Sequence, residues 1–222
     1  MRQILSVVLT HFAIACLWAA GASGGEAIFV DDFNGKLGPG WSWVREEPKA
    51  WRVTEQGLEV RIQPGNMWGS QNNARNVLVR AVPEVKSGGI EVAVNVENKP
   101  SHQYEQVDLV WYYDDSNMVK LGQELVNGQL SVVMGREEND KPRTVKIVPL
   151  EWTSLELRFL VKGTIIRGQF RATGTQEWRE VGECDLPAPM GGRPKISLQF
   201  YQGAADVERW AKIKRFRILR QE

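Results

Sequence analysis

Two carboxylates on neighbouring runs of alternating residues are the first groups in this chain whose type and spacing suit chemistry. In YEQVDLVWYYDD, Val107, Leu109, Trp111 and Tyr113 share one parity, while Tyr104, Gln106, Asp108 and Tyr112 share the other. In the run that follows, Val119 and Leu121 fall on one side and Lys120 and Glu124 on the opposite one. Side chains alternate across a strand, so Gln106, Asp108, Lys120 and Glu124 are predicted to line one polar face of two adjacent strands. Two carboxylates across a groove are the minimum for glycoside hydrolysis, one as acid and the other as base or nucleophile. Asp108 and Glu124 are therefore the candidate catalytic pair. The same face also suits binding without turnover, since carboxylates and amides hydrogen-bond hydroxyls and aromatic rings cover apolar faces. A plain solvated sheet face is the third reading.

A second polar stretch, GNMWGSQNNARNVLVR (Gly65 to Arg80), packs a Trp, several amides and an Arg into a glycine-containing loop ahead of an apolar strand. Trp68, Asn72, Asn73, Arg75 and Asn76 are candidate contacts at the rim of the groove. Tyr201, at the end of the ISLQFY run, is a further candidate on its face. The amides and Arg75 have an alternative task in satisfying loop backbone groups, while Val77 and Val79 read as core.

Other chemistries lack their signatures. No Gly-x-Ser-x-Gly, His-Glu-x-x-His or phosphate loop is present. His102 is the only histidine besides His11, and Cys184 the only cysteine besides Cys16, so no histidine- or thiolate-based metal site is expected. No cofactor is expected either. The Asp31-Asp32 and Asp114-Asp115 pairs would suit a structural calcium ion, because turn carboxylates are hard ligands, although Asp and Asn in turns also bond their own backbone. With 28 basic and 27 acidic residues the charge is balanced, which argues against nucleic acid as a partner.

The elements that must position these residues are strands. Ile90, Val92, Val94 and Val96 alternate with Glu91, Ala93 and Asn95, and Leu155, Leu157, Phe159 and Val161 alternate with Glu156 and Arg158. VKLGQELVNGQLSVVMG reads as a hairpin around Asn127-Gly128, and LELRFLVKGTIIRGQFRAT as another around Lys162-Gly163. AIFVDDF and WAKIKRFRIL are predicted to pair as first and last strands. Many short antiparallel strands and no sustained helical period indicate an all-β, two-sheet antiparallel β-sandwich of the jelly-roll type.

Met1-Arg2-Gln3, the apolar run Ile4 to Ala20 and the small residues after it form a secretory signal, residues 1–25, with the sandwich domain spanning 26–222. The mature chain is then expected in the periplasm or outside the cell with no membrane span. Cys16 marks a lesser alternative, lipid attachment. The oligomeric state is not legible.

Several stretches taken in order resemble a known family. VDDFNGKLGPGWSWVREEPKAWRVTEQGLEVRIQPGNMWG, NNARNVLVRAVP, VDLVWYYDDSNMVKLGQE and EWTSLELRFLVKGTIIRGQFRATGTQEWREVG are similar to concanavalin A-like domains of the DUF1349 type. They also resemble the C-terminal sandwich domain of family 43 glycosidases. The resemblance implies the concanavalin A-like fold and, in the glycosidases, an accessory to a separate catalytic propeller. Fold alone does not fix function. Three readings follow from the residues: a secreted carbohydrate-binding module using a concave sheet face, a small glycoside hydrolase or polysaccharide lyase using Asp108 and Glu124, and a cell-surface protein-interaction module anchored by exposed tryptophans.

Overall fold

The computed structural model describes residues 25–84, 87–188 and 192–222. The signal segment and Cys16 lie outside the described residues. Among those described, no helix is long and apolar enough to cross a membrane.

Among the described residues fifteen strands follow one another with a single short 3-10 turn, Pro48–Ala50. In chain order they are β1 (Glu26–Asp31), β2 (Trp41–Val44), β3 (Trp51–Thr54), β4 (Gly57–Arg61), β5 (Val77–Ala81), β6 (Gly89–Glu97) and β7 (Gln106–Asp114). Then come β8 (Asn117–Val126), β9 (Gln129–Glu138), β10 (Lys141–Pro149), β11 (Ser154–Lys162) and β12 (Ile165–Ala172). The last three are β13 (Arg179–Asp185), β14 (Lys195–Tyr201) and β15 (Trp210–Gln221). One sheet runs β13-β12-β11-β6-β15-β4-β3, with β1 also on β15, and the other runs β10-β9-β8-β7-β14-β5-β2. All pairings between these strands are antiparallel. This is the two-sheet sandwich that the alternation predicts.

The parity of each strand decides its faces. Val107, Leu109, Trp111, Val119, Leu121, Leu198 and Phe200 point inward and meet Val92, Val94, Leu157, Phe159 and Phe170 from the facing sheet. The predicted hairpin closes at Asn127-Gly128, both at positive φ, between β8 and β9. β1 pairs with β15, as expected of the first and last strands. A register shift between Lys214 and Arg217 lets Ala211 and Ile213, then Phe216 and Ile218, all face the core. The bulge resets a parity that strict alternation would have turned outward.

The two sheets treat their outer faces differently. On the first, Glu91 and Glu156 sit between Arg158, Arg171 and Arg217, and Trp178 lies under the guanidinium groups of Arg158 and Arg171 at 3.9 and 4.3 Å. On the second, the outer face carries its own apolar cluster, Val77, Val79, Val110, Tyr112, Met118 and Tyr201, covered by Met67 and Ala74 from the Gly65–Arg75 loop. The loop that the sequence places at a rim thus lies across the sheet.

A polar cleft on the outer face of the second sheet

The loop is fixed before it contributes to any cleft. The Asn66 side chain accepts from the Trp68 backbone N–H at 3.0 Å and donates to its carbonyl at 2.9 Å. The Asn66 carbonyl accepts from Asn73 and Ala74. Arg45 donates to the Ala74 carbonyl at 2.7 Å and pairs with Asp115 at 2.6 Å, tying the loop to the β7–β8 turn. Glu137 on β9 accepts the Gly69 N–H with both oxygens at 3.1 Å. A Cβ on Gly135 would overlap the Trp68 indole, so glycine there lets the ring approach β9 closely.

Beside this loop opens a cleft of about 460 Å³, walled by Trp68, Tyr104, Val133 and Ile147 and floored by Gln106, Lys120 and Glu124. Lys120 is 3% exposed. Its ammonium donates to Gln106 Oε1 and, at 3.0 Å, to Glu124 Oε2, under the Trp68 ring at 4.9 Å from its centroid. Burial alone would push Lys120 down, but Asp108 and Glu124 outweigh it and hold the ammonium above its ordinary range. The amide of Gln106 reaches back to the Tyr104 carbonyl at 2.8 Å. Tyr104 adopts φ 66°, lines the cleft and is 47% exposed. A left-handed backbone is costly for a tyrosine, and here the surrounding hydrogen bonds hold it.

Asp108 is on the predicted face but not in the cleft. Its side chain is wholly buried, between Gln199 on β14 and Gly122 on β8, its two cross-strand neighbours. Among the described residues Ser197 Oγ and Gln199 Oε1 have no hydrogen-bond partner, and the Asp108 carboxylate and Tyr201 hydroxyl have only each other nearby, outside good hydrogen-bond geometry. Burial pushes Asp108 up to about 7; Lys120 and the nearby Tyr201 hydroxyl oppose this and Glu124 reinforces it. Burial likewise raises Glu137 to about 7, against the Gly69 N–H and with Asp140. Tyr201 is fully buried and its hydroxyl is pushed well above the ordinary phenol range, by burial and by Asp108 and Glu124.

A Cβ on Gly122 would coincide with the Asp108 carboxylate and press on the Val107 carbonyl. Gly122→Ala is therefore expected to lower stability by about 2–4 kcal/mol, as overpacking against a buried charge does. Urea unfolding measures it.

The structure brings Trp68, Gln106, Lys120 and Glu124 together, with Tyr201 and Asp108 beneath. It sends the other loop candidates elsewhere. Asn72 donates to Asp140 at 3.1 Å, Asn73 accepts the Asn66 N–H at 2.8 Å and Arg75 pairs with Glu47 at 2.9 Å. Asn76, at φ 52°, clasps both backbone groups of Glu47. These four hold the loop and do not line the cleft. Asp31 accepts from Phe33, Gly38 and Trp41, and Asp114 from Ser116 and Asn117, so the turn carboxylates serve their own backbone and neighbours. Cys184 is buried and its thiol is pushed up to about 11, mainly by burial.

Comparison with known proteins fixes the family. The model of the β-xylosidase C-terminal concanavalin A-like domain matches residues 30–191. The chain belongs to that family.

Solved structures agree on the fold of this β-xylosidase C-terminal-type domain. The GH43 protein BlXynB of Bacillus licheniformis superposes with a TM-score of 0.74 at 19% identity, over 86% of this chain and 39% of its own. The xylan β-1,4-xylosidase of Bacillus halodurans C-125 gives 0.71 at 18% identity, over 86% and 38%. The CBM2 module of the evolved Dit of Lactobacillus casei BL23 phage J-1 gives 0.55 at 10%, over 90% and 98%. This domain therefore spans about two fifths of the two Bacillus chains. A search of curated proteins gives no match.

Proposed function

We propose that this domain binds carbohydrate in the cleft beside Trp68 without transforming it, as an extracytoplasmic module. The observation that carries the reading is the pairing of a solvent-held aromatic ring, Tyr104, with the Gln106–Lys120–Glu124 floor. A ring offers an apolar face to the C–H side of a sugar while the floor meets its hydroxyls. Family membership supports a carbohydrate-associated role, and the leader-like first 25 residues support export.

The binding reading is favoured over hydrolysis by the position of the carboxylates. Among the described residues Glu124 is the only carboxylate lining the cleft, whereas hydrolysis needs two that flank the scissile bond. Asp108 has no exposed surface from which to meet a substrate.

Titration calorimetry with a panel of oligosaccharides tests the proposal. Saturable binding with no released product is the expected result, and Tyr104→Ala should weaken it roughly tenfold or more, about 1.4 kcal/mol. Tyr104 is exposed, so its removal should leave the melting temperature nearly unchanged. Product release, or unaltered affinity in Tyr104→Ala, would overturn the reading.

A further inference from the structure

The charges set around the cleft narrow the kind of sugar it would accept, an inference that rests on the carbohydrate reading above. We propose that the cleft is selective for uncharged sugars and discriminates against uronic acids and other anionic glycans.

Among the described residues Lys120 is the one cation lining the cleft, and it is already paired. Lys120 is 3% exposed, bonded to Gln106 and Glu124 and covered by Trp68. The ionisable side chains that act on it are acidic: Glu124 on the same strand, Asp108 on β7 and Glu137 on β9, with the Tyr201 phenol on β14 beside them. The walls supplied by β10 and the loop, Thr144, Ile147, Asn66 and Trp68, are neutral. A ligand carboxylate arriving here would have to displace Glu124 from Lys120 or lie against it, with Asp108 and Glu137 behind. In so poorly hydrated a site, like charges repel far more than in water.

The hydrogen-bonding groups left open point the same way. Glu124 uses one oxygen on Lys120, and its other oxygen is an acceptor with no donor among the described residues. An ionised carboxylate or sulfate offers only acceptors, whereas a sugar hydroxyl offers a donor. The floor is therefore complementary to neutral hydroxyls and mismatched to anions. Among the described residues, no arginine, which recognises anionic groups through paired bonds, lines the cleft.

Matched pairs of glycans sharing one backbone test this by calorimetry at pH 7.5. Suitable pairs are cello-oligosaccharides against cellouronate, and xylo-oligosaccharides against the same chains bearing glucuronic acid. At least one neutral member is expected to bind, with its carboxylated partner weaker by tenfold or more. Methyl esterification of the carboxylated partner should restore the affinity, separating charge from shape. Glu124→Gln, which removes the negative charge at nearly constant volume, should narrow the gap severalfold. Equal or tighter binding of a carboxylated member overturns the selectivity and leaves the carbohydrate reading standing. Failure of every member of every pair to bind overturns both.

Discussion

Asp108→Asn is expected to raise stability at pH 8 by about 2–4 kcal/mol and to flatten its dependence on pH. The carboxyl is held near 7 in the folded protein, against roughly 3.9 for an unperturbed aspartate. The folded state therefore keeps its proton over a range in which the unfolded chain has lost it. Stability from this group is complete below about pH 4, declines as pH rises through the interval from about 4 to 7, and is lost above it. Three pH units correspond to about 4 kcal/mol at most. Asn keeps the shape, never carries the charge, and places an amide donor opposite Gln199, whose Oε1 lacks a partner. Lys120, Glu124 and the Tyr201 phenol face the carboxyl, and Glu137, also held near 7, shifts the wild-type curve in the same direction. Urea unfolding at pH 5 and pH 8 decides the matter. Identical pH slopes for the two proteins would refute the assignment.

Lys120→Met is expected to cost about 3–5 kcal/mol, because it strips the counter-charge from Glu124 and Asp108 in a site that water barely reaches. The pair Lys120–Glu124 is buried on both sides, at 4% and 8% side-chain exposure, so the screening that weakens surface ion pairs does not operate. The combined variant Lys120→Met/Glu124→Leu should recover most of that loss, since apolar residues of similar volume often replace a buried pair without penalty. A double-mutant cycle in urea should then give a coupling above about 1 kcal/mol. If the double variant is no more stable than Lys120→Met alone, the ion pair is not what stabilises this floor.

The floor was legible in the sequence because strand parity is a rigid rule. Gln106 and Asp108 share a side of β7, Lys120 and Glu124 share a side of β8, and the Gln106↔Glu124 register joins them. Depth was not legible. Asp108 and Glu124 have the same parity, yet only Asp108 is sealed, because Gly122 leaves room for its carboxyl and the apolar cluster of Tyr201, Val110 and Met118 lies alongside. The loop candidates show a different limit. Asn, Arg and Trp in a turn read alike as contacts or as fasteners, and only the partners of Asn72, Asn73, Arg75 and Asn76 separate the two uses. Tyr104 shares the parity of Gln106, a signal present in the sequence, but its left-handed backbone is set by tertiary contacts. On β10, the register shift between Thr144 and Lys146 defeats period two and lets Thr144 and Ile147 both reach the cleft.

The pairing of β1 with β15 also sets how the sandwich would respond to a pull. Glu26 lies opposite Arg220 and Asp31 opposite Phe216, so the outer ends of both strands sit at the same end of the ladder. Tension applied through them would act across the rungs and load one hydrogen-bonded pair at a time. The joint would peel like a zipper, whereas strands loaded along their length must shear all their bonds together. The sandwich is therefore mechanically soft at this seam, whatever its thermodynamic stability, and β1 is the strand that would come away first under force.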